Sequence, residues 1–253
     1  MNKRSSLVVL ALTLAAGAIS VQAQTPTNSP PAKWASSAAA GLTITSGNSK
    51  TTLGTVTADT DGKWDDSELS LEADAAYGRS RSPGQTDATT TAELLHGFVQ
   101  YNWLFTPRFY GLGRVEGLHD GVADINYRAT MSIGLGYYLI KNTNTDLSVE
   151  VGPGYVFQEL GGDSTSYATL RAGEKYHHAL SDRARIWQTA QVLPQVDRFG
   201  NYIVNAEAGI EADLTKDKKL ALRSYITDTY NHQPAPGRLK NDLTWVTAIA
   251  YKF

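Results

Sequence analysis

The stretch DINYRATMSIGLGYYLIKNTNTDLSVEVGPGYVFQEL, residues 124–160, decides the fold. Ile125, Tyr127, Ala129, Met131, Ile133, Leu135, Tyr137 and Leu139 are apolar at every second position. Asn126, Arg128, Thr130, Ser132, Gly134, Gly136 and Tyr138 stand between them. After a polar Lys-Asn-Thr-Asn-Thr turn, Leu147, Val149, Val151, Pro153, Tyr155 and Phe157 alternate with Ser148, Glu150, Gly152, Gly154, Val156 and Gln158. A period of two sends successive side chains to opposite faces of a strand. The stretch therefore reads as a hairpin of two long strands, apolar on one face and polar, small or charged on the other. A soluble sandwich also alternates, but its strands usually run about 5–6 residues. Strands of ten or more residues with Arg128 and Glu150 on the second face fit a transmembrane barrel, with lipid outside and a polar lumen.

The N-terminus agrees with export. Lys3 and Arg4 form a basic head, Leu7 to Ile19 an apolar core, and Val21-Gln22-Ala23 a cleavage site. Residues 1–23 are expected to be a signal peptide, because the apolar run is shorter than the roughly 20 residues a spanning helix needs. Cleavage removes Lys3 and Arg4, so the formal charge of −2 becomes −4. That balance gives no hint of nucleic-acid binding, which would want a strongly basic face. Cysteine is absent, which excludes disulfides and cysteine-ligated zinc.

Residues 24–33 read as a flexible periplasmic lead-in and residues 34–253 as one antiparallel barrel of about twelve strands. Expected turns include Ser-Gly-Asn-Ser at 46–49, Asp61-Gly62, Thr106-Pro107-Arg108, Lys141–Thr145, Ser181-Asp182 and Thr215–Lys219. The connections at 79–88, 161–166, 196–201 and 231–240 read as mostly longer, the alternation expected of short periplasmic turns and outer loops. Aromatic residues collect at strand ends in two bands, Trp34, Trp103, Phe105 and Tyr251 on one side and Tyr77, Tyr127, Tyr167 and Trp245 on the other. Amphipathic rings prefer the two bilayer interfaces.

Several pieces carry a family resemblance: Ser-Gly-Asn-Ser after the first strand, Tyr-Gly-Leu-Gly-Arg-Val-Glu at 110–116, Asn-Tyr-Arg at 126–128, Gly-Leu-Gly-Tyr at 134–137 and the Tyr-Lys-Phe ending. Together with the signal peptide they resemble the salt-induced outer-membrane protein family over nearly the whole mature chain. The resemblance implies a bacterial outer-membrane barrel of unestablished molecular function, expressed under salt stress. It supplies no catalytic or binding residue.

The charges on the inward parity are the more informative feature. Glu72, Asp74, Arg128, Glu150, Arg171, Lys175, Glu207, Glu211, Asp213 and Arg223 fall on it, and Arg114 and Glu116 share a face that joins them. Candidates for a constriction are Arg114, Glu116, Arg128, Glu150, Arg171, Glu207 and Arg223. Two readings stay open: salt bridges filling a narrow lumen, or a small channel whose selectivity these charges set. Gly134, Gly136, Gly152 and Gly154 are expected to leave space beside one wall. No catalytic residue, metal site or cofactor is expected. His96 reads as a lumen hydrogen-bonding residue that Ser132 or Ser148 could approach, and His177-His178 places adjacent rings on opposite faces. The last strand ends on Tyr251 and Phe253, the expected signal for the barrel assembly machinery. Lipid and that machinery are the expected partners, and the oligomeric state is open. An envelope-stress barrel without transport, a diffusion channel, and an outer-membrane enzyme or adhesin are the competing function classes.

Overall fold

Backbone N–H and C=O groups have no water to bond in a bilayer, so a spanning sheet must leave no free edge. The computed structural model meets that demand with a closed barrel. It describes residues 33–45, 50–82 and 85–253. The expected signal peptide, the lead-in before Lys33, the 46–49 turn and Pro83-Gly84 lie outside the described residues.

The strands are β1 (Lys33–Thr45), β2 (Lys50–Lys63), β3 (Ser67–Arg81), β4 (Thr89–Leu104), β5 (Phe109–Asp120), β6 (Ile125–Lys141), β7 (Thr145–Leu160), β8 (Asp163–Ser181), β9 (Ala184–Gln195), β10 (Arg198–Asp213), β11 (Leu220–Asn231) and β12 (Asn241–Lys252). Each pairs antiparallel with its sequence neighbours, and β1 pairs with β12 to close the ring. The closing ladder is short, from Ser37↔Lys252 to Ala40↔Ile249, whereas β1 and β2 pair from Lys33↔Lys63 to Thr45↔Thr51.

The alternation is realised as an apolar exterior. Leu42, Ile133, Leu135, Val151, Leu243 and Ile249 point outward and are exposed, and Trp245 is 72% exposed. So much contiguous apolar surface is compatible with lipid, not water. Trp34, Trp103, Phe105, Tyr251 and Phe253 are exposed toward the rim that holds the chain termini; Tyr77, Tyr127, Tyr155 and Phe157 are exposed toward the distal rim. Inside, Ala39, Ala221, Tyr225, Val246, Ala248 and Ala250 pack with Trp187 as an apolar lining of the seam wall.

Five local expectations are corrected. Asp61 and Gly62 continue β2, where Asp61 pairs with Ala35 and Ser70 and accepts a 2.6 Å bond from the Ser70 hydroxyl; the turn falls at 64–66, closed by Trp64 N donating to Ser67 O. The connection at 161–166 contracts to Gly161-Gly162, both at positive φ, because such a two-residue turn matches strand twist and lets Leu160 pair with Asp163. The connection at 196–201 contracts likewise, since Gln195 pairs with Arg198. Loop-length alternation therefore survives only at 82–88 and 232–240. Finally, a register shift between Ile125 and Tyr127 buries Ile125, and Tyr167 shares the inward face of Thr169 and Arg171; neither joins the lipid face.

The 232–240 loop also leans back over the barrel. Ala235 is 2% exposed, and Ala235 and Pro236 lie against Gly161 at the tip of β7–β8.

Candidate functional site

Burying a charge without a partner is costly, so inward charges must be paired or hydrated. At mid-barrel six side chains close a circuit. Arg114 Nε donates to Glu116 Oε2 at 3.0 Å, and Arg114 Nη1 to Gln100 Oε1 at 3.3 Å. Gln100 Nε2 donates to Glu150 Oε1 at 2.7 Å, and Arg171 Nη1 to Glu150 Oε2 at 2.8 Å. Arg171 Nε donates to Gln191 Oε1 at 2.9 Å, and Gln191 Nε2 returns to Glu116 Oε2 at 3.3 Å. Glu116 on β5 and Gln191 on β9 are not sheet neighbours, so their bond is a chord across the lumen. The Arg114 guanidinium also lies 3.6 Å from the Phe98 ring centroid, a favourable cation–π position.

Two further networks flank the circuit. Toward the terminal rim, Glu68 on β3 accepts from Tyr138 at 2.5 Å and from Lys141 at 3.2 Å, both on β6. This is a second chord, tied to the circuit through Asn102 and Gln100. At the seam, Arg223 on β11 donates to Glu211 (3.0 Å), to Asp59 on β2 (2.9 Å) and to Ser37 on β1 (2.8 Å). Glu211 is 1% exposed in its side chain and also meets Arg185 at 2.9 Å and Lys252 at 2.8 Å. Arg223 thus staples, from inside, the strands on both sides of the short closing ladder.

Of the seven sequence candidates, Arg114, Glu116, Glu150 and Arg171 form the circuit. Arg223 belongs to the seam network. Glu207 accepts from Trp187 Nε1 at 2.6 Å. Arg128 is apart from all of them: its Nε donates to neutral Gln158 at 2.8 Å, and its Nη2 has no hydrogen-bond partner among the described residues. Sequence reading missed Gln100, Gln191, Ser37, Asp59 and Glu68 as members. Inward parity was visible for Gln100, but no sequence signal pairs residues far apart on non-neighbouring strands.

The expected space beside the glycine wall is filled. An added Cβ on Gly136 would lie 2.2 Å from the Tyr110 ring, and the Gly134 and Gly152 positions face the opposing backbone at 2.5 and 2.0 Å. Gly136 pairs with Glu150, and the Tyr110 ring crosses it to donate to Glu150 at 3.0 Å. The glycine admits a ring, not water.

His96 faces two carboxylates, Asp74 through Nδ1 at 3.1 Å and Glu116 through Nε2 at 3.3 Å. Both ring nitrogens are directed at carboxylates. Glu72, Asp74 and His96 lie with ligand atoms within 4.8 Å of one another. Asp74 and His96 are direct cross-strand partners, a proximity that only register reveals.

The family model described as a protein of unknown function, DUF481, matches residues 38–253. Among solved structures, the NanC porin is similar at 8% identity, over 87% of this chain and 100% of that chain, with a TM-score of 0.51. The translocator domain of the autotransporter NalP from Neisseria meningitidis is 15% identical over 87% of each chain, with a TM-score of 0.45. These likenesses concern the barrel fold alone. No curated protein matches the chain.

Proposed function

The chain belongs to the DUF481 family of proteins of unknown function, and from that premise we propose that it is an outer-membrane β-barrel whose lumen is bridged against free diffusion. The observation that carries this reading is the chord from Glu116 to Gln191, part of a circuit that includes the buried Arg171–Glu150 pair at 2.8 Å. Side chains held this way replace continuous water by protein contacts, and the chord from Glu68 to Tyr138 adds a second bar. Lipid surrounds the apolar belt, and Tyr251 and Phe253, both exposed at the end of the closing strand, are read by the assembly machinery. The barrel carries out no catalysis. The link to salt or envelope stress is supported by the sequence resemblance alone.

A second reading, a small diffusion channel for ions or small solutes, is supported by a lining that carries both signs of charge and by the fold likeness to a porin. Planar-bilayer recording of the purified barrel separates the two. The parent is expected to show small or absent conductance, and Arg171→Ala to raise conductance or shift ion preference. A wide, steady pore in the parent, unchanged in Arg171→Ala, would overturn the bridged-lumen reading.

A further inference from the structure

Arg128 is a buried cation with no ion pair among the described residues. It is 6% exposed, bonds through Nε to a neutral amide, and leaves Nη2 unpartnered among the described residues. The titratable groups nearest its charge are Tyr167, Glu116 and Asp120, and both carboxylates are engaged elsewhere. Glu116 is held by Arg114, His96 and Gln191. Asp120 Oδ1 accepts from the backbone N–H groups of Val122 and Ala123. Arg128 and Glu116 border a cavity of about 20 Å³ whose wall includes Thr130, Asn205, Leu193 and Ile203.

A cavity needs about 10–15 Å³ to hold a water, and that water needs two to four polar partners. Leu193 and Ile203, both buried, make one side apolar, while Arg128, Glu116, Thr130, Gln191 and Asn205 supply polar groups on the others, so charge and not the count of partners separates the possible occupants. Water leaves the guanidinium charge uncompensated, whereas a monovalent anion neutralises it and is served by charge-assisted N–H donation. The Thr130 hydroxyl and Asn205 amide offer further donors.

We propose that the cavity beside Arg128 is a binding site for a single small monovalent anion of chloride size. The site is independent of conductance: a barrel that passes no current retains it.

The test uses the full chain folded in detergent micelles. Urea unfolding midpoints are compared in chloride or bromide and in gluconate, which is too large for the cavity, at one ionic strength. The parent midpoint rises with halide and saturates, as binding to the folded state requires. The rise is lost in Arg128→Gln, and Asn205→Leu, which keeps the arginine, shifts half-saturation to higher halide. If Arg128→Gln does not fold, bromide anomalous scattering from parent crystals decides, with a peak at hydrogen-bond distance from Nη2 expected. Equal parent midpoints in halide and gluconate, a halide effect retained in Arg128→Gln, or no bromide peak beside Arg128 overturns the proposal.

Discussion

Arg171 on β8 and Arg128 on β6 carry the same charge into the same lumen from strands two places apart, and their environments diverge. Arg171 has Glu150 at 2.8 Å and Gln191 at 2.9 Å, inside a circuit whose members all have partners. Among the described residues Arg128 bonds to the neutral Gln158 and to no carboxylate. Inward parity therefore does not tell what an inward charge does. A buried cation with a carboxylate is part of the wall, and one without a carboxylate is a place for an ion.

The largest effect should come from breaking the paired side of this comparison. Glu150→Ala removes the acceptor of Arg171, Gln100 and Tyr110 together and leaves a buried guanidinium uncompensated. A loss of about 3–5 kcal/mol is expected for breaking such a pair, measured by urea unfolding in micelles. Glu150→Leu combined with Arg171→Met should recover most of it, since an apolar replacement of the whole pair is often neutral. A Glu150→Ala cost no larger than that of an exterior substitution would show that the circuit does not hold the lumen.

Gly136→Ala tests the same wall by volume. Its Cβ would meet the Tyr110 ring at 2.2 Å, and Tyr110 is 1% exposed, so the ring has nowhere to go. The expected cost is about 1–3 kcal/mol, the usual range for overpacking. The companion Gly136→Ala, Tyr110→Leu should be milder. A fully tolerated single substitution would mean the wall has the open space that the glycines alone suggested.

Arg128→Met gives the smallest effect and sharpens the comparison most. In gluconate it should leave stability unchanged or raise it, because the charge it removes has no carboxylate paired with it among the described residues and only a neutral amide is left behind. A loss comparable to that of Glu150→Ala would mean that Arg128 is paired as Arg171 is, and the contrast would fail.

Much of the fold was legible because a strand in lipid must alternate. Ile133, Leu135, Val151 and Ile249 showed the lipid face, and Arg128, Glu150, Arg171 and Arg223 the lumen face, without any knowledge of partners. The ends of strands were less legible. Gly161-Gly162 reads as the start of a loop, yet two residues at positive φ make a tight turn. Ile125 follows the apolar rhythm but is turned inward by a register shift. The glycines of β6 and β7 read as empty space because the ring that fills the Gly136 position comes from Tyr110, on another strand.

By itself, then, the sequence determined an antiparallel barrel with an apolar exterior and a charged interior, because side-chain direction in a strand depends only on counting by two. The tertiary structure alone decided which interior groups meet. Glu116 and Gln191 are 75 residues apart and Ser37 and Arg223 are 186 apart, and such distances close only when the sheet does. Closure pairs Arg171 with Glu150 and leaves Arg128 without a bonded carboxylate among the described residues, since a chord across a lumen depends on strand stagger and barrel size, which no local pattern encodes.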